Sequence, residues 1–490
     1  MRKKKQNKSA RKRHLIPANP ILALLAIIDL LACVVFLSVL ILVDAFPGMY
    51  VVIILVVLAA AMVVLFRWLN CRKKITRQRK LGAIFSIVLI AVLCIGTYYL
   101  YSTYAMFNKI SDNDKQTEEF HVVALKNGSY DDLKDIKGEE LFVTDAESDT
   151  YKAAKKKLQK KADVTYKSAG GYIETGSKLI DKDGKTHDEL IFVSNTYYEI
   201  LCEEIDGFQS KTKIIYTISI DVDSVDTSKR VDVTKDPFNV YISGIDTFGS
   251  INTVARSDVN MIMTVDPKEK QILLTSIPRD MYVTLHTYGE KDKLTHTGIY
   301  GIDETVMTVE DWLDIDINYY IRVNFTTLVD IVDVIGGIDV ESEYAFKSSV
   351  SEYSYSEGTN HLDGKAALFF ARERKSLDGG DNERVKNQQR VLKGIINKVT
   401  TSPVILTKYT KLLNAVGDEM QTSLTEHDIA ALVKMQVKDL GGWEISMQSI
   451  KGNGTSAATY SMGSRQLYVA IPDEESVKAA QDAINEIMKQ

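Results

Sequence analysis

Three long apolar runs open the chain, at residues 21–43, 50–66 and 81–100. Each is close to the roughly 20 residues a helix needs to cross a hydrocarbon core. After a polar stretch at 101–120, read as a stalk, the pattern shortens and alternates. Apolar–polar alternation and β-branched residues predict strands over 120–125, 140–143, 190–193 and 213–220. Apolar residues three and four apart predict helices over 151–161 and 197–205. A linker rich in Asp, Ser, Thr and Lys occupies 221–237. Beyond it, strands are expected at 238–242, 260–265, 271–276, 318–325, 339–341 and 466–471. Helices are expected at 304–313, 326–335, 404–416, 425–438 and 474–488, with Gly336-Gly337 stopping the second. Strands that alternate with helices imply an α/β fold. The organisation expected is a basic tail at 1–20, three transmembrane helices within 21–104, a small α/β accessory domain at 105–225, and an α-β-α sandwich with a central mixed sheet at 236–490.

Charge orients the chain. Residues 1–20 carry eight Lys or Arg and residues 67–80 carry seven, whereas 44–49 carry none. The positive-inside rule then puts the N-terminus and the second loop in the cytoplasm and everything after about Tyr101 outside the cell. That exterior part holds 45 basic and 63 acidic residues, a net charge near −18. The basic tail is explained by topology, so a nucleic-acid partner is not expected. Asp29 lies within the first apolar run and is expected to face another helix. Of the cysteines, Cys33 and Cys94 fall in membrane runs, Cys71 is cytoplasmic and only Cys202 is outside. The exterior part therefore has no intrachain disulfide to hold it and needs a packed core.

Candidate chemistry concentrates in residues 361–392. Arg372 and Arg374 follow the apolar run Leu368-Phe369-Phe370-Ala371, and on a strand they would share one face. Asp381 and Asn382 are good N-cap residues for a helix reaching about Val399. On that helix Arg384 and Gln388 share a side. Three arginines and a glutamine near a helix N-terminus describe a multidentate phosphate site, unless Glu373, Asp378, Asp381 and Glu383 simply pair with them. Asp246, Asp258 and Arg279 each sit where a strand ends or begins, the place where ligands gather in open α/β sheets. Two carboxylates there could hold a divalent cation such as Mg²⁺. The segment at 105–225 offers no site chemistry that the sequence identifies.

GID (244–246), RSD (256–258), SIPRD (276–280), Lys293-Leu294, DINYYIRVNF (316–325), VDVIGGIDV (332–340), HLDGKAALFFARER (361–374) and GDNERVKNQ (380–388) resemble the LytR-CpsA-Psr family in order and spacing. The three membrane runs and the extra domain resemble its CpsA-like branch. The resemblance implies a catalytic domain of that family at 236–490. It also implies a Mg²⁺-dependent phosphotransferase that moves a glycopolymer, capsular polysaccharide being favoured, from an undecaprenyl-pyrophosphate carrier onto peptidoglycan at a Gram-positive cell membrane. Asp246 and Asp258 would hold the metal. Arg279, Arg372, Arg374, Arg384 and Gln388 would grip the pyrophosphate, with Arg256 and Lys293 assisting. Elements at 319–335 would line a polyprenyl pocket, and capsule-synthesis proteins are candidate partners. This sequence departs from the family at Thr247-Phe248-Gly249 and at Lys386-Asn387, where many members carry an arginine. The alternatives are a membrane-anchored regulator of envelope synthesis and a lipid-pyrophosphate hydrolase.

Overall fold

The computed structural model describes residues 20–489 except 45, 47, 70–75, 112–114, 146–147, 224, 246–250, 252–253, 378–379, 403–407, 409–410, 413–414, 416–419 and 440. Two compact units result, one of the N-terminal helices together with residues 429–439 and the other of the described residues in 107–428 and 441–489. Among the described residues, three helices are long and apolar enough to cross a membrane: α1 (Pro20–Val43), α2 (Gly48–Leu69) and the apolar part of α3 (Thr76–Ser111). Asp29 on α1 is fully buried and accepts a hydrogen bond from Ser86 on α3, the helix-facing position expected of it. The polar stalk expected over 101–120 is not irregular. Helix α3 continues to Ser111 and the first strand has begun by Lys115.

The accessory region is a five-stranded sheet, ordered β3-β2-β4-β1-β5. Its strands are β1 (Lys115–Leu125), β2 (Glu140–Val143), β3 (Thr165–Ser168), β4 (Ile191–Ser194) and β5 (Thr212–Asp223). Alternation along β1 explains the layering, because successive side chains point to opposite faces. Phe120, Val122 and Ala124 pack under α4 (Asp149–Ala162). Val123 and Leu125 pack on the other side with α5 (Tyr172–Gly176), α6 (Asn195–Glu204) and α7 (Phe208–Lys211). Helix α4 is opened by Ser148, whose side chain accepts from Tyr151 N, and is closed by Asp163 in a left-handed conformation.

The second sheet is mixed and six-stranded. Its centre is β6 (Phe238–Gly244), β7 (Val259–Asp266) and β8 (Gln271–Ile277), consecutive and antiparallel. A small ladder follows, β9 (Tyr282–Thr284) with β10 (Lys291–Lys293), and then the short α8 (Leu294–Thr297) and α9 (Ile302–Leu313). Strand β11 (Tyr319–Val323) adds parallel to β6. After α10 (Phe325–Ile335) come two more ladders, β12 (Ile338–Ser342) with β15 (Gly358–Leu362), and β13 (Phe346–Lys347) with β14 (Ser354–Tyr355). Next are α11 (Gly364–Arg372), α12 (Asp381–Thr401), β16 (Met420–Thr422) on β11, and α13 (Glu426–Lys438). Strand β17 (Glu444–Ser449) runs parallel to β8, the hairpin β18 (Gly452–Thr459) with β19 (Gly463–Pro472) follows, and α14 (Glu474–Met488) ends the fold. Tyr241, Ile262 and Leu273 of the sheet pack with Val306 and Val309 of α9 and Ala480 and Ile484 of α14. A second core joins α10, α11, α12 and β12 through Val332, Ile338, Phe370 and Val391.

Helix α10 ends where its sequence says it should. Asn324 and Thr327 form a capping box, and Gly336 closes it at φ +87°. The run at 368–371 departs from expectation, being helical rather than a strand. Asp363 caps α11 by accepting from Ala366 N, and Ala367, Phe370 and Ala371 bury one helical face. Arg372 and Arg374 therefore do not share a strand face. Arg372 is the last residue of α11, and Arg374 lies beyond the C-cap Glu373. Helix α12 is entered through Gly380 at φ +54° rather than through an Asp381 or Asn382 cap. The helix expected at 404–416 falls largely outside the described residues.

Candidate active site

The ends of β6, β7 and β8 bring three loops together. Gly244 pairs with Val259, and Asp258 N donates to Gly244 O at 2.9 Å. Ser257 N donates to Thr295 O at 3.2 Å, and Thr295 N to Arg279 O at 2.8 Å. Segments 256–258, 279–280 and 293–296 are thus tied together by backbone bonds. Gly298 allows the close approach. A Cβ there would stand 2.5 Å from Ala255 O and 3.0 Å from Ser257 N. Gly298→Ala is therefore expected to displace Arg256–Asp258 and to lower turnover about tenfold or more, since small misplacements are costly in catalysis. Steady-state turnover read beside the thermal midpoint checks this; turnover falling only in step with the folded fraction would contradict it.

Asp258 is the centre of the site. Its Oδ1 accepts from Arg279 Nη1 at 2.8 Å and from Thr295 Oγ1 at 3.0 Å. Burial alone would raise this carboxyl, but the Arg279, Arg256 and Arg384 charges outweigh it and hold it below the usual carboxylate range. Arg384 supplies its charge from the first turns of α12. Lys293 Nζ lies 3.0 Å from Asp280 Oδ1. Arg256, Arg279, Asp280, Lys293, Thr295 and His296 line one small pocket. The Nε atoms of Arg256 and Arg279 are buried and find no acceptor among the described residues. Such donors are costly to bury unless something charged meets them.

The accessory region supplies part of this pocket. Glu203 of α6 holds Arg256 in a fork, Oε2 to Nη1 at 2.6 Å and Oε1 to Nη2 at 2.8 Å. Burial would raise the Glu203 carboxyl, but Arg256 draws it down. Glu204 pairs with Arg465 of β19 and also faces the pocket. The reading that residues 105–225 bring no site chemistry is therefore corrected. Glu203 is 53 positions from Arg256 in the chain, and no local pattern connects them. Thr295, by contrast, directly follows the Lys293-Leu294 step and could have been considered with it.

The remaining arginines are placed elsewhere. Arg372 lies over the Phe325 ring at 4.3 Å, a cation–π contact at the start of α10. Arg374 is exposed. Neither lines the pocket around Arg279. Gln388 is half-buried one turn beyond Arg384. Asp246 lies outside the described residues, although Ile245, which precedes it, is bonded to Val323 O at the same end of the sheet. Glu373 does not neutralise its arginine neighbours. It is fully buried and accepts from Ser349 N at 2.6 Å and from Arg374 N and Ser376 N at 3.0 Å. Burial opposes its charge, yet these backbone donors bring its pKa down to about 2. Its contribution is thus present above the ordinary carboxylate range and is lost as pH falls toward 2. Glu373→Gln is expected to lower stability by about 2 kcal/mol near neutrality, with the gap closing in acid. Urea unfolding from pH 7 to pH 3 measures it, and a gap that stays constant would contradict this account.

A model described as the LytR_cpsA_psr family matches residues 205–485. The chain belongs to this family. A similar protein is the polyisoprenyl-teichoic acid–peptidoglycan teichoic acid transferase TagU of Enterococcus faecalis, 32% identical over 56% of this chain and 90% of that one. The TagU of Bacillus subtilis is 36% identical over 50% of this chain and 79% of its own length. Among solved structures, B. subtilis TagU is 32% identical with a TM-score of 0.41, and TagV is 30% identical with a TM-score of 0.44. Each is matched over 52% of this chain and 98% of its own. The family match begins at residue 205, near the end of the accessory region, and leaves four of the five strands of its sheet outside.

Proposed function

We propose that this LytR-CpsA-Psr protein is a membrane-anchored phosphotransferase that moves a glycopolymer from a polyprenyl-pyrophosphate carrier onto peptidoglycan. The observation that carries this reading is the Asp258 carboxylate set among Arg279, Arg256 and Arg384, with buried guanidinium Nε donors facing no described acceptor. The names of the relatives support the same transfer class. Phosphoryl transfer asks the protein mainly for positioning and charge stabilisation, which such a cluster supplies. Undecaprenyl pyrophosphate is the expected carrier. Capsular polysaccharide is the favoured cargo because the three spans and the accessory region resemble the CpsA-like branch. The positive-inside pattern favours an extracellular site. Arg372, stacked on Phe325, and Arg374 would meet the carrier from the α10 side, where Leu328 and Ile331 are only half-buried.

Mg²⁺ belongs to the proposal. Among the described residues no three His, Cys, Asp or Glu gather as a metal site. A one- or two-carboxylate Mg²⁺ site completed by phosphate oxygens still fits the donors. No described residue donates to Asp258 Oδ2, and Ile245, the residue before Asp246 in the chain, is bonded to Val323 O at that end of the sheet. Asp246 and Asp258 would hold the ion, which would neutralise charge on the transferred phosphoryl group.

Purified full-length protein tests this with a polyprenyl-pyrophosphate-linked oligosaccharide and peptidoglycan fragments. Oligosaccharide should become fixed to peptidoglycan only with Mg²⁺ present. Release to water regardless of acceptor would make the protein a hydrolase, and binding without turnover would make it a regulator.

A further inference from the structure

We propose that His296 is the general base that accepts the proton of the acceptor hydroxyl, with Asp292 as its positioning residue. The proposal rests on the phosphotransferase reading above. His296 is buried on α8 and lines the pocket beside Arg279, Arg256 and Lys293. Its Nδ1 lies 2.7 Å from Asp292 Oδ1 and 2.9 Å from Ser461 Oγ. Asp292 is itself fully buried and held on both oxygens, by Lys293 N at 2.7 Å on Oδ1 and by Ser461 N at 2.8 Å on Oδ2. A carboxylate fixed in this way is an acceptor, so Nδ1 carries the ring proton and Nε2 keeps the lone pair. No described residue hydrogen-bonds to Nε2. A carboxylate that orients an imidazole and stabilises its cation is the arrangement general-base chemistry requires.

The other acids in the pocket and beside it are committed to cations. Asp258 is bonded to Arg279 and lies among Arg256 and Arg384. Asp280 is held by Lys293, with Arg279 Nε 3.9 Å away. Glu203 is occupied by Arg256 and Glu204 by Arg465. A carboxylate paired to guanidinium is a weak base, and no arginine or lysine here has a lone pair to offer. His296 is the group of this pocket with an available one.

The step balances without any further reactant. The acceptor O–H bond breaks and its proton goes to Nε2. The acceptor oxygen forms a bond to the phosphorus that carries the polymer. The bond from that phosphorus to the bridging oxygen breaks, and its electron pair leaves with polyprenyl phosphate. The imidazolium, paired with Asp292, then returns its proton to solvent.

The test uses the full-length protein with the lipid-linked oligosaccharide and peptidoglycan fragments. In the wild type, kcat should fall on the acid side with a single ionisation. His296→Gln should lower kcat by about 10²-fold or more and remove that acid limb. Equilibrium binding of polyprenyl pyrophosphate and the thermal midpoint should stay near wild type. Asp292→Asn should lower kcat and leave binding of the carrier intact. A His296→Gln rate within threefold of wild type, or an unchanged acid limb, would overturn the proposal. Should that variant not fold, a wild-type kcat profile flat on the acid side overturns the proposal, and a single ionisation there that Asp292→Asn shifts supports it. A wild type that transfers nothing would instead defeat the phosphotransferase reading itself.

Discussion

Arg279→Ala is expected to reduce transfer by about a hundredfold or more, because under the proposed function it would remove a donor to the reacting phosphate. Loss of one such donor costs about 2.7–4 kcal/mol of transition-state stabilisation. Arg279 donates to Asp258 at 2.8 Å and keeps its Nε buried without a described acceptor. The same residue therefore sets the Asp258 carboxylate and has a donor to spare for a ligand. The fold should survive, since Arg256 and Arg384 still balance Asp258 and Thr295 still donates to it. A stability loss of about 1–3 kcal/mol is expected from the missing charged hydrogen bond. Arg279→Lys should recover only part of the activity, because an ammonium cannot reproduce the fork. Transfer rates on the folded variants decide it. An alanine variant within threefold of wild type would remove Arg279 from the machinery.

Phe370→Ala should give the largest loss of stability, about 3–5 kcal/mol. Phe370 is fully buried where α10, α11, α12 and β12 meet, with the Tyr355 ring 5.1 Å and the Phe346 ring 5.5 Å away. Its neighbour Phe369 is half-buried and stacks on Tyr353 at 5.7 Å, so Phe369→Ala should cost only about 1 kcal/mol. Denaturant midpoints at unchanged m would show the difference. Equal losses at the two positions would mean that α11 does not bury the face assigned to it. The variant should also lose activity beyond its unfolded fraction, because α11 ends on Arg372.

Much of the fold could be read from the chain because its signals are local. The strands β6, β7 and β8 are apolar runs bounded by turns, and Gly336 closes α10 where a left-handed residue was needed. The run Leu368-Phe369-Phe370 failed as evidence because a short apolar stretch has no measurable period. The deciding signal was Asp363, three residues before Ala366, which caps a helix. The polar β17 and β18 were missed because edge and surface strands bury little apolar area, whereas β19, the partner of β18, was expected at 466–471. At the site, Asp258, Arg279 and Arg384 were legible as charges placed at element ends, where folding brings distant segments together, and Arg256 and Lys293 only through the family resemblance. What they touch was not legible. The Arg279–Asp258 bond and the Glu203 fork on Arg256 are tertiary contacts, and the second joins α6 of the accessory region to the loop before β7.

The central claim is that this site transfers a phosphoryl group that stays with the polymer. It is tested most directly by following a donor labelled with ³²P only on the phosphate attached to the oligosaccharide. With full-length protein, Mg²⁺ and peptidoglycan, the account predicts that the label enters peptidoglycan in a phosphodiester while unlabelled polyprenyl phosphate is released. Label that remains with the lipid, or appears as phosphate on free oligosaccharide at the same rate without peptidoglycan, would contradict it.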